Sequence, residues 1–289
     1  MTEQAELAII GGSGLYNMAG LKQIDEFYPE TPFGKPSAPI AIGTLGARKV
    51  AFLARHGIGH HLSPSEVPYQ ANVFALKLLG VARIVSISAC GSLREDYVPG
   101  DIVLPDQLYD NTRVRPRSFF GGGLVAHIGS AEPFCPDLSR QLLAAVSATG
   151  AVVHSGGALI TIEGPRFSTK AESNVYRGWN MSLIGMTACP EAFLAREAEI
   201  CYTSMAHVTD YDVWHVSEAP VSVEIVIEIL NRNTQVAQQA LARLAESLDS
   251  ERRCTCGSAL AGALITQRDR IPATTKERLR PLVGKYLGD

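Results

Sequence analysis

Two aspartates separated by one residue are the first candidates for chemistry in this chain. Asp210 and Asp212 lie just after the predicted strand 200–208. In an extended segment, side chains two positions apart point to the same side. Each carboxylate then raises the pKa of the other, and burial raises both further. A carboxylic acid that stays protonated near neutral pH can donate a proton to a leaving group. The alternative is a solvated acidic turn, and the ligand spacing of a calcium loop does not match.

Two other segments have the residue types that bind an anion. The glycine-rich stretch 11–14 follows an apolar run, and its backbone N–H groups and the Ser13 hydroxyl could form an anion-binding nest. Arg55 and His56 follow the predicted strand 49–54, and a guanidinium can donate two parallel hydrogen bonds to one phosphate. The alternatives are an ordinary tight turn at the glycines and a surface arginine paired with a carboxylate.

Small and aromatic residues supply candidates for binding a flat ligand. The predicted strand that begins at Arg83 runs into Ser88 and Ala89, where small side chains let a ligand approach the backbone closely. Phe167, in a turn rich in charged residues, could stack on a base. The alternatives are a crowded strand–turn crossing at the first segment and core packing for Phe167.

The histidine and cysteine spacings do not predict a metal site. Gly57 and Gly59 interrupt the helix that would place His56 and His60 on one face. The two-apart spacing of Cys254 and Cys256 is a poor zinc signature, because such sites leave two to four residues between paired ligands and need a second pair. This pair is interpreted as two ordinary thiols or, alternatively, as a strained disulfide.

The elements that must position these residues alternate between strand and helix. This alternation predicts an α/β layer fold with one domain over residues 1–289. The polar motifs follow strands, where ligands of open α/β sheets bind. Residues 111–130 are predicted to form a mobile loop. The predicted strands are 7–10, 49–54, 83–87, 101–104, 159–162, 183–186 and 200–208, and the predicted helices are 69–79, 136–149 and 223–248.

Composition excludes several classes of protein. The chain has 289 residues, of which 46% are hydrophobic and 19% charged, as in globular proteins. Its net charge of -3 does not suggest binding to nucleic acid or electrostatic docking on a membrane. The polar residues 1–6 lack the pattern of a secretory signal, and no apolar stretch is long enough to cross a membrane. A cytoplasmic location is expected.

Taken together, the segments resemble the methylthioadenosine phosphorylases, a family within the purine nucleoside phosphorylase superfamily. The resemblance implies one domain with a mixed central β-sheet flanked by helices. It also implies a homotrimer, with a dimer of trimers as the alternative. It implies small-molecule substrates, with phosphate as co-substrate and no cofactor. The resembling segments are residues 10–15, 31–37, 53–57, 69–72, 89–94, 99–101, 161–167, 186–187 and 209–212.

The resemblance also assigns roles to individual residues. Ser13 stands where relatives often have threonine, which leaves the hydroxyl in place. Met186 lies near the ribose, Val223 belongs to the wall around the 5'-substituent, and His127 reaches into the site of a neighbouring subunit. The phosphate-binding residues are Ser13, Arg55, His56, Ser88 and Thr187. Ala89 and Phe167 lie beside the nucleoside, and Asp210, Tyr211 and Asp212 face the purine.

The expected reaction is phosphorolysis of S-methyl-5'-thioadenosine, with Asp210 and Asp212 as the catalytic pair. A protonated Asp210 can donate to N7 of adenine and accept from the 6-amino group, whereas an asparagine would suit a 6-oxopurine. The nearest alternatives are a broader purine nucleoside phosphorylase and a methylthioinosine phosphorylase. A nucleosidase that uses water and a nucleoside-binding protein without catalysis are the more distant ones.

Overall fold

Strands buried on both faces form the centre of the molecule. The computed structural model describes residues 5–12, 21–215 and 222–288, except for the side chains at 225, 228 and 230–232. Every residue of β1 (Leu7–Gly11) is buried. Its side chains alternate between two hydrophobic cores, one on each face of the sheet. Strands with this continuous apolar character are typical of sheets covered on both sides by helices.

The described strands form one mixed sheet of eleven strands, whose main path runs β2-β3-β4-β1-β5-β10-β9-β7. Additional pairs join β11 to β5 and β6, and β6 to β8. The other strands are β2 (Leu21–Phe27), β3 (Ile40–Leu45), β4 (Arg48–Ala54), β5 (Arg83–Ser92), β6 (Ile102–Leu104), β7 (Gln107–Asn111), β8 (Val153–Ser155), β9 (Ala158–Ile162), β10 (Leu183–Gly185) and β11 (Cys201–Asp210).

Helices cover both faces of this sheet. One core contains apolar side chains of α1, α4 and α6, and the other contains those of α2 and α5. The mixed α/β architecture expected from the sequence is therefore confirmed. The helices are α1 (Tyr69–Leu78), α2 (Pro136–Ser147), α3 (Lys170–Gly178), α4 (Ala188–Glu197), α5 (Val223–Ser247) and α6 (Ala273–Leu287).

The central strand β5 changes partners along one edge. Its residues 83–86 pair with β1 in parallel, and Gly91 and Ser92 pair with β10 in antiparallel orientation. The opposite edge of β5 pairs with β11 in parallel, from Arg83 beside Cys201 to Gly91 beside Asp210. In the described part of the chain, no strand pairs with residues 87–90 on the first edge. Such switch points are where ligands bind in α/β sheets.

Every predicted strand and helix forms, and residues 112–130 form a loop, as predicted. Part of this loop is anchored to the body of the protein, and its mobility stays a prediction. Arg115 is 5% exposed, and Phe119 and Leu124 are fully buried. The backbone N–H of Phe119 donates to the Glu197 carboxylate at 2.7 Å. Within the described residues, no helix combines the length and apolarity that crossing a membrane requires.

Candidate active site

The candidate site lies at the opening along β5, between the end of β1 and the start of its pairing with β10. Arg55 comes directly after β4, and Thr187 comes two residues after β10. Their side chains meet β5 at adjacent residues. The Nη1 of Arg55 donates to the carbonyl oxygen of Ile87 at 3.1 Å, and the hydroxyl oxygens of Thr187 and Ser88 are 3.2 Å apart. Asp210 reaches the same strand at Gly91.

Arg55 is held by a buried carboxylate. Its Nε and Nη2 donate to the two carboxylate oxygens of Glu191 at 2.8 and 3.0 Å, and both side chains are almost completely buried. Nη2 also donates to the Ser86 hydroxyl at 2.6 Å. Burial opposes the charge, but the Glu191 carboxylate outweighs it and raises the pKa of Arg55. The arginine is therefore a fixed positive charge, and among the described residues only one N–H of its Nη1 has a hydrogen-bond partner.

This pairing bears on one of the alternatives considered for Arg55. The arginine is paired with a carboxylate, as that alternative held, but the pair is buried instead of lying on the surface. A buried pair of this kind is bidentate and cannot rotate freely. It therefore fixes the direction of the remaining N–H. The phosphate-binding role of Arg55 stays a prediction.

His56 is half-buried and neutral. Its Nδ1 lies 2.9 Å from the carbonyl oxygen of Leu62, and a carbonyl can only accept, so Nδ1 carries the proton. Burial and the neighbouring Arg55 charge lower the pKa of His56 to about 4. The ring stacks on His60 at 4.3 Å between centroids. Its Nε2 is therefore an acceptor, which suits the hydroxyl of a monohydrogen phosphate.

Asp210 and Asp212 lie together, although not in the way the sequence suggested. The prediction of a continuous extended segment is wrong, because β11 ends at Asp210 and Asp212 has a φ of 52°. The chain turns back, and the backbone N–H of Asp212 donates to Oδ1 of Asp210 at 2.7 Å. The Thr209 hydroxyl donates to the other oxygen of Asp210 at 2.7 Å.

The surroundings of both aspartates favour the protonated form. Burial raises the pKa of Asp210, and the Asp212 carboxylate adds to this, against the hydrogen bonds from Thr209 and the Asp212 amide. Burial likewise raises the pKa of Asp212, in spite of the nearby hydroxyls of Ser173 and Ser168. The Oδ2 of Asp212 is buried without a hydrogen-bond partner in the described part of the chain. Both carboxyl groups therefore keep a proton to a higher pH than an exposed aspartate does.

An apolar wall stands beside the aspartates. Ile184, Trp214 and Ile160 form a small buried cluster, against which Met186 and Tyr211 pack. The indole Nε1 of Trp214 donates to the carbonyl oxygen of Ser92 at 2.7 Å, which ties this wall to the end of β5. The arrangement combines a cation and hydroxyls at one end of the opening with carboxyl groups and apolar side chains at the other.

Comparison with known proteins agrees with this geometry. Residues 6–246 match the Phosphorylase superfamily. An S-methyl-5'-thioadenosine phosphorylase from Chloroflexus aurantiacus is 54% identical over 283 residues, which cover 98% of each protein. The chain belongs to the phosphorylase superfamily.

Solved structures of superfamily members have the same fold. A crystal structure of a methylthioadenosine phosphorylase from an antarctic soil metagenomic library matches with a TM-score of 0.93 and 46% identity, over 97% of this chain and 99% of that one. A mutant adenosine/methylthioadenosine phosphorylase from Schistosoma mansoni, crystallised with methylthioadenosine, matches with a TM-score of 0.81 and 36% identity. The match covers 86% of this chain and 93% of that one.

Three residues expected at the site are not among the side chains that meet along β5. One of them lies in a part of the chain that the structure does not describe. Ser13 belongs to the stretch 13–20, which the structure does not describe. Val223 is the first residue of α5 and is 56% exposed, two positions after the undescribed residues 216–221. His127 is exposed, and its backbone N–H donates to the Ala263 carbonyl at 2.9 Å.

The other residues expected to bind the nucleoside lie within the described part of the chain. Ala89 is half-buried on β5, where β5 pairs with β11 on one edge and with no described strand on the other. Phe167 is 37% exposed, in the turn that follows β9. Their exposure is compatible with contact to a ligand or to a second chain. The roles assigned to all of these residues stay predictions.

The sequence analysis missed three residues that position the site. Glu191 orients Arg55, and Gly91 leaves room for Asp210, since a Cβ there would lie 2.9 Å from Oδ1 of Asp210. Arg115 donates to the carbonyl oxygens of Met186 and Cys189, both at 2.7 Å, on either side of Thr187. The sequence contained a signal only for the glycine, in a run of small residues. Glu191 and Arg115 act over long sequence separations, which spacing cannot reveal.

Proposed function

We propose that this chain catalyses the phosphorolysis of S-methyl-5'-thioadenosine to adenine and 5-methylthioribose 1-phosphate. One observation carries the proposal: β5 places the two ends of the site at a fixed separation. Ser88, beside Thr187, and Gly91, beside Asp210, are three residues apart. At about 3.3 Å per residue this is roughly 10 Å, which accommodates a pentose between a phosphate and a base.

The phosphate end of the site supplies charge and hydroxyl donors. Arg55 attracts the dianion and aims one N–H at it, while Thr187 and Ser88 provide hydroxyls that can donate to its oxygens. His56 accepts from the phosphate hydroxyl. Ser13 is proposed to add another hydroxyl. Holding phosphate in line with C1' supplies proximity and stabilises the developing sugar cation.

The purine end of the site assists the leaving base. A phosphate oxygen forms a bond to C1' as the bond from C1' to N9 breaks. The electron pair of that bond moves into the adenine ring, and the proton of Asp210 passes to N7, so adenine leaves neutral. Burial raises the pKa of Asp210, which favours the protonated form that this step requires. General acid catalysis of this kind contributes about 10²- to 10⁴-fold.

The substrate preference follows from the two ends of the nucleoside. Asp210, once protonated, donates to N7 and accepts from the 6-amino group, which favours adenine over 6-oxopurines. Asp212 positions Asp210 through its backbone N–H, and Tyr211 and Phe167 border the base. Met186 and Val223 offer an apolar environment to the 5'-methylthio group. Phosphate is the co-substrate, and this scheme needs no organic cofactor or catalytic metal.

The oligomer is part of the proposal. A homotrimer would bring the exposed His127 of one chain to the site of the next, and a dimer of trimers is the alternative assembly. The proposed setting is the cytoplasm. We expect His127→Ala to raise the KM for nucleoside while the native mass by light scattering stays that of the wild type. An unchanged KM would contradict the role of His127.

The test of the function is a panel of nucleosides with and without phosphate. We expect turnover of methylthioadenosine to exceed that of adenosine and inosine, to require phosphate, and to yield 5-methylthioribose 1-phosphate by mass spectrometry. Preference for inosine or methylthioinosine would favour a 6-oxopurine enzyme. Turnover that ignores phosphate and yields free methylthioribose would identify a nucleosidase. Binding of methylthioadenosine without turnover would identify a binding protein.

A further inference from the structure

Four cysteines from three separate parts of the sequence meet at the amino end of β11, the end remote from the site. Cys135 is the N-cap of α2, and Cys201 is the first residue of β11. Cys254 and Cys256 follow α5. The four Sγ atoms all lie within 4.8 Å of one another, with Cys254 half-buried and the other three buried. The remaining cysteines, Cys90 and Cys189, are not part of this cluster.

The distances in this cluster suit a single metal ion better than disulfides. All the cysteines are free thiols, and the Sγ atoms of Cys201 and Cys254 are 3.4 Å apart. A disulfide bond measures about 2.05 Å. Two thiolates bound to one tetrahedral zinc by bonds of about 2.3 Å lie about 3.8 Å apart. Four sulfur atoms bound to one metal ion are all close to one another. Two disulfides would instead bring the sulfurs together in two separate pairs.

We propose that Cys135, Cys201, Cys254 and Cys256 bind one Zn²⁺ as a tetrathiolate site. Binding converts four thiols to thiolates and releases their protons to solvent. The expectation of no metal site rested on the two-apart spacing of Cys254 and Cys256 and on the lack of a second cysteine pair in the sequence. The fold supplies that pair from the beginnings of α2 and β11.

The groups around the cluster fit a site with excess negative charge. A zinc ion with four thiolates carries a net charge of -2, and Arg196 donates from Nη1 to Cys256 Sγ at 3.4 Å. The backbone N–H of Leu138, in the first turn of α2, donates to Cys135 Sγ at 3.5 Å. Donors of this kind outside the ligand set orient metal-bound thiolates and offset their charge.

The cluster has a path for the ion. A surface cavity of about 550 Å³ is lined by Cys254 and Cys256 together with Arg140, Arg196 and Arg253. The half-buried Cys254 lies on the solvent side of the cluster, so the ion can enter without unfolding of the core. The acidic residues Glu132 and Asp137 also line this cavity.

The proposed zinc has a structural role. Cys201 and Asp210 are the two ends of β11, and a strand of this length spans about 30 Å, which separates the cluster from the reacting atoms. The ion would join α2, β11 and the segment after α5. Removal of the ion is therefore expected to lower Tm by several degrees, with little change in the kcat of the enzyme that remains folded at assay temperature.

Metal content is the first test. The full chain is produced with zinc in the medium and purified anaerobically, and zinc is measured by plasma mass spectrometry. We expect one zinc per chain in the wild type and in the matched control Cys189→Ala, and almost none in Cys254→Ser/Cys256→Ser. The single variant Cys254→Ser, at the most exposed ligand, is expected to fold and to lose zinc to a chelator at least tenfold faster. Zinc well below one per chain in the wild type would overturn the proposal.

Thiol counting and cobalt spectroscopy separate a metal site from disulfides. In denaturant with a chelator and without reductant, we expect all six cysteines of the chain to react as thiols. Only two reactive thiols would show that the cluster is oxidised and that the proposal is wrong. Cobalt substitution should give the intense visible bands of a tetrahedral thiolate complex, and these should be absent in the double variant. Neither outcome bears on the proposed phosphorolysis, which does not use this cluster.

Discussion

At the scale of the residue, the identity of the group at position 210 should decide which purine leaves. We expect Asp210→Asn to lower kcat for methylthioadenosine by about 10²- to 10⁴-fold, because the amide cannot transfer a proton to N7. The ratio of kcat/KM for inosine to that for methylthioadenosine should rise, since an amide N–H can donate to a 6-carbonyl. The measurement is kcat/KM for both nucleosides. A variant enzyme that kept the wild-type adenine preference at a comparable rate would contradict the role of Asp210.

The same proton predicts a pH dependence of the reaction. Burial raises the pKa of Asp210, and the acid is active only while protonated. The rate with methylthioadenosine is therefore expected to fall as pH rises through this pKa, and the Asp210→Asn variant should lack this limb of the pH profile. Profiles of kcat from slightly acidic to alkaline pH, with phosphate saturating, measure this. A falling limb of the same midpoint in the variant would assign the proton to another group.

The buried partner of Arg55 should matter to both folding and phosphate. Removing one member of a buried ion pair costs about 3–5 kcal/mol, because the other charge is left uncompensated. We expect Glu191→Gln to lower Tm clearly and to raise the KM for phosphate more than that for nucleoside. The matched control is Asp96→Asn, which breaks the exposed pair with Arg94 and should change stability by less than about 1 kcal/mol. Equal effects of the two variants would refute a special role for the buried pair.

At the scale of the element, the close packing of β5, β10 and β11 sets the position of the acid. A Cβ at Gly91 would lie 2.9 Å from both Asp210 Oδ1 and Ile184 Cγ2. Gly91→Ala must therefore displace the carboxyl group or β10, and we expect kcat to fall at least tenfold, since small misplacements of reacting groups are costly. The control is Gly178→Ala, where the added Cβ meets no atom within 4 Å. Wild-type kcat in Gly91→Ala would show that this contact does not position Asp210.

Local patterns explain why some elements could be predicted from the sequence and others could not. The buried strands β1 and β4 have runs of apolar residues, which is sufficient for a prediction. In β2, by contrast, five of seven residues are exposed. The sequence of this strand therefore has no apolar pattern that would predict its pairing with β3. The short helix α3 was missed although Thr169 and Glu172 form a capping box, a signal that the sequence does contain.

The candidate site was predictable only in part, for a related reason. Arg55, Ser88 and Asp210 follow predicted strands and could be found, because the carboxyl ends of parallel strands meet at one side of a sheet. Glu191 lies 136 positions from Arg55, and no periodicity links the two. The turn at Asp212 depends on its positive φ, which non-glycine residues adopt infrequently and which the D-x-D pattern does not indicate.

At the scale of the whole molecule, the stability of the layered fold should depend on a histidine inside it. His207, on β11, is 1% exposed, and neither of its ring nitrogens has a hydrogen-bond partner in the described part of the chain. Burial lowers the pKa of His207 from 6.5 to about 4. The folded protein therefore holds this ring neutral over a range of pH in which the unfolded chain binds a proton.

The sign of the resulting pH dependence follows from linkage. Because the folded pKa is the lower one, the contribution of His207 to stability is complete above about pH 6.5 and is lost as pH falls toward about 4. Each displaced pKa unit corresponds to about 1.4 kcal/mol, so the total loss is a few kcal/mol.

We expect His207→Leu to remove this loss, so that the variant gains stability relative to the wild type as pH falls from 7 to 4.5 in urea unfolding experiments. The control is His61→Leu at an exposed position, which should leave the slope unchanged. If the difference in unfolding free energy between wild type and His207→Leu stayed constant across this range, His207 would have to be charged in the folded protein, with a partner for its proton.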